Sequence, residues 1–177
     1  MREIQTKRLR LVPLTMDHVE QMHALSVDPE VRKYLFEDQI IPLSRVKEMI
    51  ASSELCFNEH GSGLFAMYIA IENDRFDGEF IGFCGHRIFE TGKDMELLLG
   101  INPGVWGRGL GGEAARAVLR HGFEQCDIKQ VIAAADTPNQ RSVRVLQKLG
   151  MSFRERRQWR GLDTVFYEIN AEDFASR

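Results

Sequence analysis

The chain predicts an α+β fold in three layers, a central mixed and mostly antiparallel sheet flanked by helices, and three observations carry that reading. Apolar runs of strand length at 64–71 and 79–88 are separated by a short polar turn, the mark of an antiparallel hairpin. Two helical stripes, Val19-Met22-Leu25 and Val46-Met49-Ile50, precede that hairpin. After it, an apolar strand passes through glycines into a long helix and on to another apolar run at 130–135, a connection that calls for parallel pairing.

The elements follow in order. Residues 8–14 alternate through Leu9 and Leu11, and Leu14 follows Pro13, as in a strand with one buried face. Thr15 then has the character of an N-cap, with Asp17 in the first turn where a carboxylate favours the positive helix end. Asp28-Pro29 ends this helix, and the pattern over 30–41 is irregular, with Tyr34, Leu35 and Phe36 together. Ser44 begins a second helix that runs to about Phe57. Gly61-Ser62-Gly63 is a turn into the hairpin, and a polar turn at 90–94 returns the chain to a strand holding Glu96. Beyond the strand at 130–135, Asp136-Thr137-Pro138-Asn139 leads into a helix over about 140–149, stopped by Gly150 in the left-handed terminal position. Runs at 153–157 and 163–169 close the sheet around an Arg160-Gly161 turn. No internal repeat or linker interrupts the pattern.

A chain of 177 residues, 44% apolar and 28% charged, suits one domain over residues 1–177. Its formal charge of -3 gives no electrostatic case for gripping nucleic acid. Arg154, Arg156, Arg157 and Arg160 make a local basic patch, for which a solvated strand face and a binding site are both open readings. Cys56, Cys84 and Cys126 are an odd number without close spacing, which argues against a disulfide framework or a thiolate metal site and suits a cytoplasmic compartment. Neither a secretory leader nor a run of transmembrane length is evident, so no membrane partner is expected.

The stretch that organises the chain runs from Glu96 to Cys126. An apolar strand meets the Pro103-Gly104 turn, then Gly107-Arg108-Gly109-Leu110-Gly111-Gly112, then a helix with Ala114, Val118, Leu119 and Phe123 inward. The uncapped N–H groups of a glycine-rich helix start suit phosphate oxygens, which would lie over residues 108–112. A Walker A loop would need a Lys after the last glycine, and none is present. A dinucleotide fingerprint would need a different glycine spacing and an acidic residue ending the next strand, where none occurs before Asp136. A third reading is three glycines that merely allow a tight turn into a helix.

The run Trp106-Gly107-Arg108-Gly109-Leu110-Gly111 resembles the acetyl-CoA pyrophosphate loop of the GCN5-related N-acetyltransferases (GNAT), with Trp106 in place of the usual Gln or Arg. That Trp-Gly pair resembles the branch that acetylates ribosomal-protein N-termini and its small-molecule relatives. Agreement extends to Leu9-Arg10-Leu11 through Asp17, Ile81-Gly82, Glu96, and Asn139-x-x-Ser142 through Gly150. The resemblance implies a GNAT-like fold and an enzyme moving the acetyl group of acetyl-CoA to a primary amine. The acceptor would be a protein N-terminus or a small molecule, and a monomer or homodimer is expected. It implies no metal. A non-catalytic module that binds acetyl-CoA or a partner on the same fold is the alternative.

The resemblance also implies roles for individual residues. Gly107, Arg108, Gly109, Leu110, Gly111 and Gly112 would hold the pyrophosphate, and the backbone of Leu98, Leu99 and Ile101 the pantetheine arm, where two parallel strands splay. Glu96 would act as base, usually through water, and its apolar surroundings are expected to raise its proton affinity. Asn139 would bind pantetheine and Ser142 would assist the leaving thiol, although an Asn and a Ser at a helix start also serve as caps. Leu146 stands where many members carry a tyrosine acid, so Ser142 would work through water or the thiolate would leave with solvent. The segment over 28–60, including Tyr34 and Phe36, would form a wall of the acceptor site or pack locally. No Ser-His-Asp or Cys-His arrangement is visible, so direct transfer is expected in place of an acyl-enzyme.

Overall fold

A computed structural model describes residues 3–90, 92 and 94–176. Eight strands form one sheet: β1 (Ile4–Gln5), β2 (Leu9–Pro13), β3 (Leu64–Ile69), β4 (Phe80–Ile88), β5 (Met95–Ile101), β6 (Gln130–Asp136), β7 (Ser152–Trp159) and β8 (Leu162–Asn170). Their order is β1-β2-β3-β4-β5-β6-β8-β7, antiparallel throughout except for the parallel pair β5–β6. The helices are α1 (Val19–Val27), α2 (Pro29–Leu35), α3 (Leu43–His60), α4 (Leu110–Gln125), α5 (Gln140–Lys148) and α6 (Ala171–Ala175). This is the expected mixed, mostly antiparallel sheet between helical layers.

Period-two alternation assigns the side chains to two faces. On one face, Leu9, Leu11, Phe65, Met67, Cys84, Leu97 and Ala133 pack with Leu110, Ala114, Val118 and Leu119 of α4 and Leu146 of α5. On the other, Leu14, Leu64, Ala66, Phe83 and Leu98 pack with Met22, Leu25, Val46 and Ile50 of α1 and α3. A third cluster of Phe89, Ile132 and Phe166 carries Trp159 against it, so the β7–β8 turn curls over the α1–α3 face. Where α4 crosses β4 it does so at Gly122, because a Cβ there would lie 2.6 Å from Cε1 of the fully buried His86.

Three expectations are corrected. The segment over 30–41 is not all irregular: Asp28 ends α1 and also caps α2, accepting from the Glu30 N–H, with Pro29 at the first helical position. The second helix starts one residue earlier than Ser44, at Leu43, and continues to His60, where Gly61 adopts the left-handed cap at φ 73°. β1 and α6 were not anticipated, being two and five residues long. The turn at 90–94 lies in part outside the described residues. Among the described residues no helix is long and apolar enough to cross a membrane.

Candidate active site

The β5–β6 ladder has two rungs, Met95 with Val131 and Glu96 with Ile132. Past them β5 stays paired with β4 as far as Ile101, and β6 with β8 as far as Asp136. The two parallel strands therefore diverge, and residues 97–101 face 133–136 across a wedge without pairing to each other. Backbone N–H and C=O groups left inside a sheet need a partner. Leu98, Leu99 and Ile101 thus lie on an edge suited to an extended ligand arm.

Above the wedge stands the start of α4. Gly107 and Gly109 have φ of 79° and 77°, a region open to glycine at little cost, and Gly109 is the N-cap without a side-chain cap bond. No backbone acceptor among the described residues meets the N–H of Gly109, Leu110, Gly111 or Gly112. These donors converge where the helix dipole favours an anion. The two adjacent glycines differ in purpose. A Cβ on Gly111 would press on Leu99 Cδ2 at 3.1 Å, so Gly111 serves close helix–strand packing, whereas a Cβ on Gly112 meets nothing within 4 Å and would stand in open space. The Trp106 indole donates to the Ile101 carbonyl at 3.0 Å and carries the Arg141 guanidinium 4.6 Å above its ring, tying the loop to β5 and α5. The Arg108 guanidinium is engaged by Asp74 of the β3–β4 turn, whose carboxyl it holds below the usual range.

Glu96 is at the vertex of the wedge, 3% exposed, on the α1–α3 face. It is not isolated among apolar neighbours: Arg87, its cross-strand partner on β4, donates from Nε to Oε2 at 2.5 Å. The wholly apolar surroundings expected from the sequence do not hold in this structure, because the register places a guanidinium opposite Glu96. Arg87 also lines a cavity of about 420 Å³ with Leu35, Phe36, Glu37, Met49 and Arg160. Phe36 both lines this cavity and packs on the α1–α3 cluster, whereas Tyr34 does neither. Arg160 of the β7–β8 turn reaches Glu37 at 2.9 Å, joining the two walls, and also pairs with Glu90.

Asn139 accepts from the Ser142 N–H at 3.2 Å as the N-cap of α5. Ser142 is partly exposed in the first turn, and Leu146, one turn on, is buried in the α4-side core. Tyr167, on the same core face, receives a 3.4 Å contact from Gln147 at its hydroxyl. Reading the sequence missed Asp136, which ends β6 beside the wedge. Burial pushes its carboxyl above the ordinary range, against a hydrogen bond from Thr164 at 3.2 Å, and the charge of Glu37 adds to the rise. The basic residues of β7 are matched by carboxylates, Arg154 with Asp94 and Glu168, Arg156 with Asp163, Arg157 with Glu155, in keeping with a solvated face. Among the described residues no group of His, Cys, Asp and Glu is arranged to hold a metal ion.

Comparison with known proteins adds to this geometry. The family profile of the acetyltransferase (GNAT) domain matches residues 8–152. The uncharacterized protein YkkB of Bacillus subtilis is 36% identical over 105 residues, 58% of this chain and 59% of its own length. FsC-acetyl coenzyme A-N(2)-transacetylase of Aspergillus fumigatus is 28% identical, covering 84% of this chain and 64% of its own. The chain thus spans about 60% of the length of these two relatives. Among solved structures, RimL, a ribosomal L7/L12 alpha-N-protein acetyltransferase in complex with coenzyme A, superimposes with a TM-score of 0.78 at 15% identity, covering 96% of this chain and 98% of that one.

Proposed function

The chain belongs to the GNAT acetyltransferase domain family, and we propose that it is an enzyme moving the acetyl group of acetyl-CoA to a primary amine. The observation that carries this reading is the junction of an open wedge between β5 and β6 with an uncapped, glycine-lined helix start at its upper end. One offers backbone pairing to a pantetheine arm through Leu98, Leu99 and Ile101. The other offers amides of residues 107–112 to a diphosphate. Acetyl-CoA, when bound, supplies a thioester that an amine attacks once it is neutral.

The wedge vertex at Glu96 marks the reacting end. There Glu96, paired with Arg87, receives the acceptor's proton through water. Asn139, already committed to capping α5, supports the wedge through that helix. Ser142 lies on the same turn, and it returns a proton to the leaving thiolate by way of water. The acceptor enters from the α1–α3 face, where the 420 Å³ cavity is of small-molecule size. The Glu37–Arg160 bridge spans one side of that cavity, which favours a small amine over an extended peptide. A protein N-terminus is the second reading, supported by the likeness to RimL. We place the protein in the reducing cytoplasm as one domain over residues 1–177, working as a monomer or homodimer, with its three cysteines free.

The test is a screen of amines and short peptides for CoA release, followed by turnover against pH for wild type and Glu96→Gln. A positioned base is worth roughly 10²- to 10⁴-fold, so the variant should lose that much near neutrality and regain part of it at higher pH, where more amine is already neutral. Wild-type turnover with an unchanged acidic limb would remove Glu96 from the mechanism. No CoA release with any amine, despite acetyl-CoA binding, would favour the non-catalytic alternative.

A further inference from the structure

The residue that holds the glycine loop in place is remote from it in sequence. Arg8, just ahead of β2, donates from Nη1 to the carbonyl of Arg108 at 2.8 Å. Its Nε donates to Glu113 Oε2 at 2.7 Å and its backbone N–H to Glu113 Oε1 at 2.9 Å, while Thr6 Oγ1 donates to Oε1 at 2.6 Å. Glu113 belongs to the first turn of α4.

Two physical consequences follow. A peptide group is planar and trans, so its oxygen and its following N–H point in opposite directions. Holding the Arg108 oxygen toward Arg8 therefore aims the Gly109 N–H away from it, into the concavity formed with Leu110 to Gly112. A Gly-Arg-Gly loop would otherwise sample both signs of φ at its glycines. The second consequence is electrostatic. A carboxylate in the first helical turn lies within reach of the anion site and opposes a phosphate. Burial alone would raise the Glu113 carboxyl, yet the hydrogen bonds from Thr6 and Arg8 outweigh it and hold the group below its usual range. Glu113 is thus anionic, and Arg8 is the cation that offsets it.

We propose that Arg8 is a positioning residue for the diphosphate of acetyl-CoA, fixing the Arg108–Gly109 peptide and offsetting the Glu113 charge while leaving the reacting end untouched. The inference rests on the acetyl-CoA reading of the loop. S-acetylpantetheine, which carries the thioester and lacks the diphosphate, separates it from a general structural role. In Arg8→Met, kcat/KM for acetyl-CoA should fall by about tenfold to a hundredfold, the range for loss of charged hydrogen bonds, mainly through KM. Turnover of S-acetylpantetheine should stay within twofold. Arg8→Lys, which keeps the charge but cannot span both acceptors, should recover part of the loss. Arg8→Met with Glu113→Gln should recover the electrostatic share.

Calorimetric titration of CoA into the same folded variants gives the binding effect independently of any acceptor. Equal losses with both thioesters, or unchanged CoA affinity in Arg8→Met, would overturn the proposal. Should wild type bind no CoA at all, the reading of the loop as a diphosphate site fails first, and the role of Arg8 falls with it.

Discussion

Lowering pH from 7.5 to 5 should remove a contribution to stability that comes from His86. The ring is fully buried on the α4 face of β4. Its Nδ1 lies 2.8 Å from Ser62 Oγ, and its Nε2 meets no partner among the described residues. Burial, with the neighbouring His121 adding to it, pulls its pKa from 6.5 down to about 3. The unfolded chain therefore takes up a proton as pH falls through 6.5, while the folded chain keeps a neutral ring until about 3. More protons on the unfolded state mean stability lost with falling pH across that window. At pH 5 the loss is about 2 kcal/mol, since the unfolded ring is then 1.5 units below its midpoint and each unit is worth about 1.36 kcal/mol. With a urea dependence of about 2 kcal/mol per molar, the unfolding midpoint should move down by about 1 M. The assay is urea unfolding at both pH values for wild type and for His86→Phe with Ser62→Ala, which removes the titratable ring nitrogens and their hydroxyl partner together. An equal drop in the double variant, or a His86 ring that titrates near 6.5 by NMR in the folded protein, would refute the reasoning. Glu113, Asp74 and Asp163, whose carboxyls are held low, act below this window, because their stabilisation persists until pH falls through their own depressed values.

Two further outcomes are expected. Gly112→Val should weaken acetyl-CoA binding with little change in thermal midpoint, whereas Gly111→Val should lower the midpoint through its contact with Leu99; calorimetry and melting on both variants give the comparison, and reversed effects would mean the phosphate site is misplaced. Arg87→Met strands the buried Glu96 carboxylate and should destabilise by about 2 kcal/mol, below the roughly 3–5 kcal/mol for a fully buried pair because the Arg87 side chain is 37% exposed, and Glu96→Gln in the same chain should restore much of that. Denaturant unfolding checks it, and a double variant no better than the single one would show that the pair is not what holds Glu96.

The strands and long helices were legible because their apolar periods are local. The glycine-rich turn from β5 into α4 was legible because the strand, the glycines and the helix follow one another within a short stretch of sequence. What the sequence concealed depends on register or long-range contact. Asp28-Pro29 reads as a break, and the same two residues also cap and start α2; Tyr34, Leu35 and Phe36 in a row then obscure the helical period. Arg87 lies nine residues from Glu96, and only the β4–β5 register sets the two side chains together. Arg8 is separated from Glu113 by 105 residues, beyond any local pattern. Which of Gly111 and Gly112 faces the strand is a matter of helix rotation, which a glycine run does not encode. Asn139 was read both as a cap and as a pantetheine ligand, and Ser142 both as a cap and as an aid to the leaving thiol; the N-cap bond between them is present.

The divergence of β5 from β6 has a mechanical meaning. By connectivity the eight strands are one sheet, yet β1–β5 and the β6-β8-β7 block are joined across the middle by two residue pairs. Two rungs make a hinge, with α4 as the strap that connects its leaves from the tip of β5 to the foot of β6. Backbone pairing is thinnest at this seam, while the α4-side core runs unbroken beneath both leaves, and local opening starts where such support is least. The C-terminal block, residues 130–170, should exchange its amide hydrogens as a group ahead of β3 and β4. A ligand laid along the seam would replace the missing rungs and tie the two leaves together, so that amide exchange of the carboxyl-terminal quarter of the chain would slow with its occupancy.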